Sequence, residues 1–151
     1  MARQSGTELS NQQFVGQVAR RVELGLADAE RPARVSRRFS MVQVSYGQPR
    51  LHYEAWIQRG RGQVELGLHF EGSAELNGRL LQAFAAEMLA VRGELGPDFE
   101  LEQWTQSWGR IHAYLRFERV DEALAERVGE RLVATVRCLQ PRLDRILDRV
   151  G

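Results

Sequence analysis

The chain has 151 residues, 43% hydrophobic and 27% charged, with 21 basic against 20 acidic side chains and a formal net charge of +1. So balanced a charge excludes an overall basic field for nucleic acid and leaves only local basic surface. Every basic residue is arginine, which excludes the usual P-loop, a Schiff-base lysine and the usual restriction-endonuclease core with its lysine beside an acidic pair.

In chain order, a first helix is expected from Ser10, where Ser10 and Gln13 form a capping box and Phe14, Val18, Val22 and Leu26 repeat at a helical step. It should end near Arg31-Pro32, because proline disfavours helix in the residue before it. Residues 31 to 38 concentrate arginines and read as a charged connector paired with Glu23, Asp28 and Glu30; Arg34, Arg37 and Arg38 are its anion-binding candidates. Residues 39 to 71 read as three antiparallel strands. A two-residue turn at Gly60-Arg61 pairs Leu51 with Phe70, Tyr53 with Leu68, Ala55 with Leu66 and Ile57 with Val64 on one apolar face. A one-residue slip would oppose apolar and polar side chains. Gly47-Gln48-Pro49-Arg50 folds the preceding strand back, adding Val42, Val44 and Tyr46 to that face. The other face then carries Phe39, Met41, Gln43, His52, Glu54, Trp56, Glu65, His69 and Glu71.

A second helix is expected over 74 to 95, stopped by Gly96-Pro97. Strands over 99 to 104 and 111 to 118 follow, the latter with Ile111, Ala113, Leu115 and Phe117 inward and His112, Tyr114, Arg116 and Glu118 outward. The Trp104 to Trp108 stretch joins them, with Trp108 expected over the sheet edge. Asp121 caps a third helix carrying Leu124, Val128, Leu132, Val136, Leu139 and Leu143, in which Pro141 should produce a kink or break. Cys138, the single cysteine, falls on its apolar stripe and reads as an inert buried thiol. The order α-β-β-β-α-β-β-α describes one α+β domain, a two-layer sandwich with helices on one face of a mainly antiparallel sheet.

The stretches Leu66-Gly67-Leu68-His69-Phe70, Asn77-Gly78-Arg79-Leu80-Leu81, Leu95-Gly96, Leu101-Glu102-Gln103-Trp104 and Arg110-Ile111 together resemble a bacterial domain family of unknown function. Members of that family often lie downstream of restriction-endonuclease-like domains, and the resemblance extends over about residues 12 to 145. The element order also resembles that of type III secretion chaperones and related small proteins, which implies a homodimer. Neither resemblance supplies a catalytic motif matched here, so no catalytic residue is carried over.

Two constellations on the outer face bear on function. His52 and His69 fall directly opposite one another, with Glu54 and Glu71 two residues further along their strands. Opposed β-carbons lie roughly 5 Å apart, within reach of one metal ion. The plainer reading is a solvated polar sheet face, and on it no metal or other cofactor is assigned. Phe39, Met41, Trp56, Trp104 and Tyr114 form an apolar patch on a face that no helix covers, the mark of an interface. From the sequence the main expectation is therefore a non-enzymatic binding or assembly module. It would be a homodimer with a possible protein or peptide partner, and nucleic acid is a lesser candidate through base stacking. The alternative is a metal-dependent hydrolase or nuclease-associated domain built on His52 and His69. With no apolar run of about 20 residues, a polar N-terminus and a lone cysteine, no membrane association and a cytoplasmic location are expected.

Overall fold

A computed structural model describes residues 6–28 and 31–150. Helix α1 (Asn11–Gly25) is followed by strands β1 (Arg34–Arg38), β2 (Met41–Ser45), β3 (Leu51–Gln58) and β4 (Gln63–Phe70), helices α2 (Ala74–Ala85) and α3 (Met88–Leu95), strands β5 (Glu100–Gln103) and β6 (Gly109–Arg116), and helix α4 (Glu122–Val150). The six strands form one sheet in the order β1-β2-β3-β4-β6-β5, every neighbouring pair antiparallel. The helices pack on one face, which gives the two-layer α+β arrangement expected from the alternation of strand and helix patterns.

The period-2 alternation decides which side chains enter the core. Leu51, Tyr53, Ala55 and Ile57 on β3, Val64, Leu66, Leu68 and Phe70 on β4, and Ile111, Ala113 and Leu115 on β6 are buried beneath the helices. Phe117, just past the end of β6, is half-buried and packs at the core's margin. The β3–β4 register pairs Leu51 with Phe70, His52 with His69 and Trp56 with Glu65, as the apolar pattern requires. The connection is longer than a two-residue turn at Gly60-Arg61: Arg59–Arg61 make a short 3-10 turn and Gly62 closes it in a left-handed conformation. Loop length changed by an even number, so the faces were preserved.

Four other expectations are corrected. Helix α1, capped by the Ser10–Gln13 box as expected, ends at Gly25 rather than near Pro32. Gly25 lies so close to α4 that a Cβ there would meet Val133 at 2.7 Å, and its carbonyl is taken by Arg137 at 2.6 Å. Part of the arginine-rich connector is an edge strand, β1, paired residue by residue with β2; charge on an edge is compatible with pairing because one side of the strand stays in water. Glu30 lies outside the described residues. The helix expected over 74 to 95 is two helices, because the amide of Glu87 bonds to the carbonyl of Phe84, a tighter spacing that breaks the α repeat. Helix α4 runs through Pro141 without a break. Cys138 is buried, as expected, and burial first and neighbouring Glu94 second push its thiol up to about 12. Among the described residues no helix is long and apolar enough to cross a membrane.

Candidate metal centre

The sheet face away from the helices is organised in cross-strand rows. One runs Arg38–Met41–Trp56–Glu65–Tyr114, the next Gln43–Glu54–Gly67–His112–Glu100, and the third His52–His69–Arg110–Glu102. The middle row depends on glycine: a Cβ on Gly67 would stand 2.0 Å from the carbonyl oxygen of Ile111. Without a side chain at 67, β4 and β6 approach closely, and Glu54 and His112 have space on either side.

This face is not solvated. His52 is 5% exposed, Glu54 4%, Glu65 0%, His69 2% and His112 4%. Large side chains accomplish what a second layer would. The edge of Trp104 packs on His69 with centroids 5.6 Å apart, Arg110 lies 4.7 Å over the Trp104 ring, and Tyr114 stands edge-on to His112 at 5.3 Å. The expectation of a solvated polar face is therefore corrected: burying ionisable groups is costly unless each is paired, and here His52, Glu54, His69 and Glu65 lie against oppositely charged neighbours while His112 has an unpartnered ring nitrogen.

His52, Glu54, His69 and Glu71 each offer one ligand atom, and these atoms all lie within 4.8 Å of one another. His52 Nε2 is 2.9 Å from Glu54 Oε1 and 3.8 Å from Glu71 Oε2, while His69 Nδ1 is 3.3 Å from Glu71 Oε2 and 3.8 Å from Glu54 Oε1. Ligand atoms about 2.1 Å from a shared ion sit about 3.0–3.4 Å apart in octahedral or tetrahedral arrangements, the spacing approached here.

The far nitrogen of each imidazole supports the same arrangement. His52 Nδ1 lies 2.7 Å from the carbonyl oxygen of Pro49. A carbonyl only accepts, so Nδ1 carries a proton, which leaves Nε2 as the nitrogen turned to Glu54. At 2.9 Å from Glu54 Oε1 this nitrogen can share a proton with the carboxylate or join it on a metal ion. His69 Nε2 faces Glu65 Oε1 at 3.3 Å, although neither ring nitrogen of His69 is aligned well enough for a hydrogen bond. Glu65 is in turn held by Arg110 at 2.6 Å, and Arg110 also holds Glu102 at 2.6 Å. Metal-binding histidines characteristically turn the non-ligating nitrogen to such a carbonyl or carboxylate.

The electrostatics follow from burial and charge. Burial works against a charged His69, yet Glu65, Glu71 and Glu54 outweigh it and raise its pKa to about 9. Burial would raise the Glu65 and Glu71 carboxyls, but His69 and Arg110 lower the first, and His69 and His52 the second. His112 is lowered by burial and by Arg110.

Above the cluster is a cleft of about 420 Å³, with Glu54, His69 and Glu71 at its floor and Met41, Trp56 and Trp104 in its walls. Glu71, its side chain 22% exposed, is the open side of the cluster. Of the aromatic patch read from the sequence, Phe39, Met41, Trp56 and Trp104 gather around this cleft, whereas Tyr114 packs on His112. Phe39 is not on a strand but in the β1–β2 turn, 95% exposed. Arg34 and Arg38 lie on the cleft side of β1, with Arg37 on the opposite side, near Gly16 of α1. Trp108 tilts against Trp104 at 6.0 Å. Pro49, Arg110 and Glu102 entered the sequence reading as turn or motif residues and not as site residues; the isolated glycine at 67 inside an apolar strand pattern was the available signal of close backbone approach.

The expectation of a non-enzymatic module is corrected by this cluster, since a buried two-histidine, two-carboxylate set is the donor chemistry of a metal-dependent site. Comparison with protein-family models, curated proteins and solved structures finds no match to this chain.

Proposed function

We propose that the protein is a metal-dependent hydrolase whose centre consists of His52 Nε2, Glu54, His69 Nδ1 and Glu71. The carrying observation is that four ligand atoms, from three buried residues and the half-buried Glu71, lie within 4.8 Å of one another. Two imidazoles and two carboxylates suit zinc or manganese rather than calcium or magnesium, which favour all-oxygen sets. A divalent ion held by these four residues would supply activation of water for attack at neutral pH.

The chain's own residues supply the rest. The Pro49 carbonyl accepts from Nδ1 of His52, and Glu65, held by Arg110, faces the outer nitrogen of His69 at 3.3 Å. Glu71 borders the cleft, so the open side of the centre faces incoming substrate. Trp104 limits access of water to His69 from the β5 side. Metal analysis of protein purified without an affinity tag tests the reading. One equivalent of zinc or manganese, lost in His69→Ala together with hydrolysis of a simple ester such as p-nitrophenyl phosphate, supports it. A protein that takes up no ion from a solution containing both overturns it.

A further inference from the structure

The two ends of the cleft differ in chemistry, and the difference identifies a ligand. At the floor, Glu54 and Glu71 disfavour an anion unless a divalent ion is bound between them, and that ion would then be the group that attracts a phosphate. At the rim, Arg38 is exposed on the cleft side of β1, with Arg34 on the same side. The walls are apolar and flat, formed by Trp56, Trp104 and Met41. Phe39 adds a fourth surface. Its ring is 95% exposed at the cleft mouth, presented there by the two-residue Phe39-Ser40 turn between β1 and β2, which sets its backbone φ at +30°.

We propose that the cleft binds nucleoside phosphates, with the phosphate between the metal centre and Arg38 and the base against Phe39 and Trp56. This assignment rests on the metal reading above. A peptide would use the aromatic walls but brings no dianion for the ion and the guanidinium together, and a sugar phosphate brings the dianion but no π-face for stacking. The volume of about 420 Å³ falls within the range of small-ligand sites. In the reaction, a water oxygen bonds to phosphorus, the P–O bond to the nucleoside breaks with its electron pair on the nucleoside oxygen, and that oxygen takes up the proton released by the water.

Calorimetric titration of the Mn²⁺-loaded full chain with adenosine 5′-monophosphate, adenosine and inorganic phosphate provides the test. Expected is binding of the nucleotide about ten-fold or more tighter than either fragment, and only with Mn²⁺ present; Phe39→Ala should weaken the nucleotide about ten-fold without changing Mn²⁺ stoichiometry or phosphate affinity. Arg38→Gln should weaken both nucleotide and phosphate. Stoichiometric Mn²⁺ with nucleotide bound no tighter than phosphate, or a Phe39→Ala variant with unchanged nucleotide affinity, overturns the assignment and leaves the metal reading standing. Failure of Mn²⁺ and Zn²⁺ alike to bind overturns both.

Discussion

His52 and His69 face one another across adjacent antiparallel strands, their rings 11° from parallel with centroids 5.7 Å apart. Each turns one nitrogen inward to the carboxylates Glu54 and Glu71 and the other outward to an acceptor from a different part of the chain. For His52 that acceptor is the turn before β3; for His69 it is a glutamate on its own strand, held by an arginine from β6.

Removing an outer acceptor should therefore weaken metal binding without removing a ligand. Glu65→Gln is expected to lower zinc affinity by about 10–100-fold, the usual cost of losing such a partner. Chelator competition measures it. An unchanged affinity would show that Glu65 serves only Arg110.

The metal-free protein should have a stability plateau bounded on both sides by this cluster. His69 has its pKa raised from 6.5 to about 9, so its contribution is complete below 6.5 and lost as pH rises through about 9. Glu65 and Glu71 are lowered from 4.5, so their contribution is present above 4.5 and lost as pH falls through their folded values. A metal replaces the proton on His69, so ion affinity should rise with pH toward about 9. Thermal melts with and without zinc across this range give the comparison: saturating metal should remove the alkaline decline and leave the acid one.

Gly67→Ala is expected to destabilise by at least about 2–3 kcal/mol, the scale of overpacking at a site that cannot yield. The new methyl would meet the backbone carbonyl of Ile111 at 2.0 Å and the Cα of His112 at 2.7 Å. Urea denaturation measures the loss. Near-wild-type stability would mean that β4 and β6 separate easily.

Phe39→Gly should have the opposite sign, raising stability by about 0.5–1 kcal/mol. Glycine relieves the positive φ, and a ring that is 95% exposed forfeits little packing. The same denaturation experiment distinguishes this gain from a loss, which would reveal a packing role for the ring.

The register that brings the two histidines together was legible because each strand alternates apolar and polar residues, and only one pairing of 51 to 57 with 64 to 70 keeps like with like. The cleft's residue types were legible for the same reason. Burial of the polar face was not, because it depends on Trp104 and Arg110 arriving from β5 and β6, and the order placing β6 beside β4 leaves no local trace in sequence. Strand β1 was hidden by its composition, three arginines in five residues. The split between α2 and α3 was hidden because Leu80, Phe84, Met88 and Val91 keep a helical step across it.

The arginines of β1 have a further consequence. Among the described residues the sheet ends at β1 and β5, and β1 presents its outer row of amides and carbonyls with no strand beyond it in the sheet order. An open edge of this kind templates addition of another chain's backbone. Arg34, Arg37 and Arg38 place three cations along five residues, so two copies approaching edge to edge bring six like charges together, and the solution should remain monodisperse at low salt. Replacing all three with threonine, a strong strand former without charge, should turn the same edge into a seed for fibrils, visible as thioflavin fluorescence growing with time.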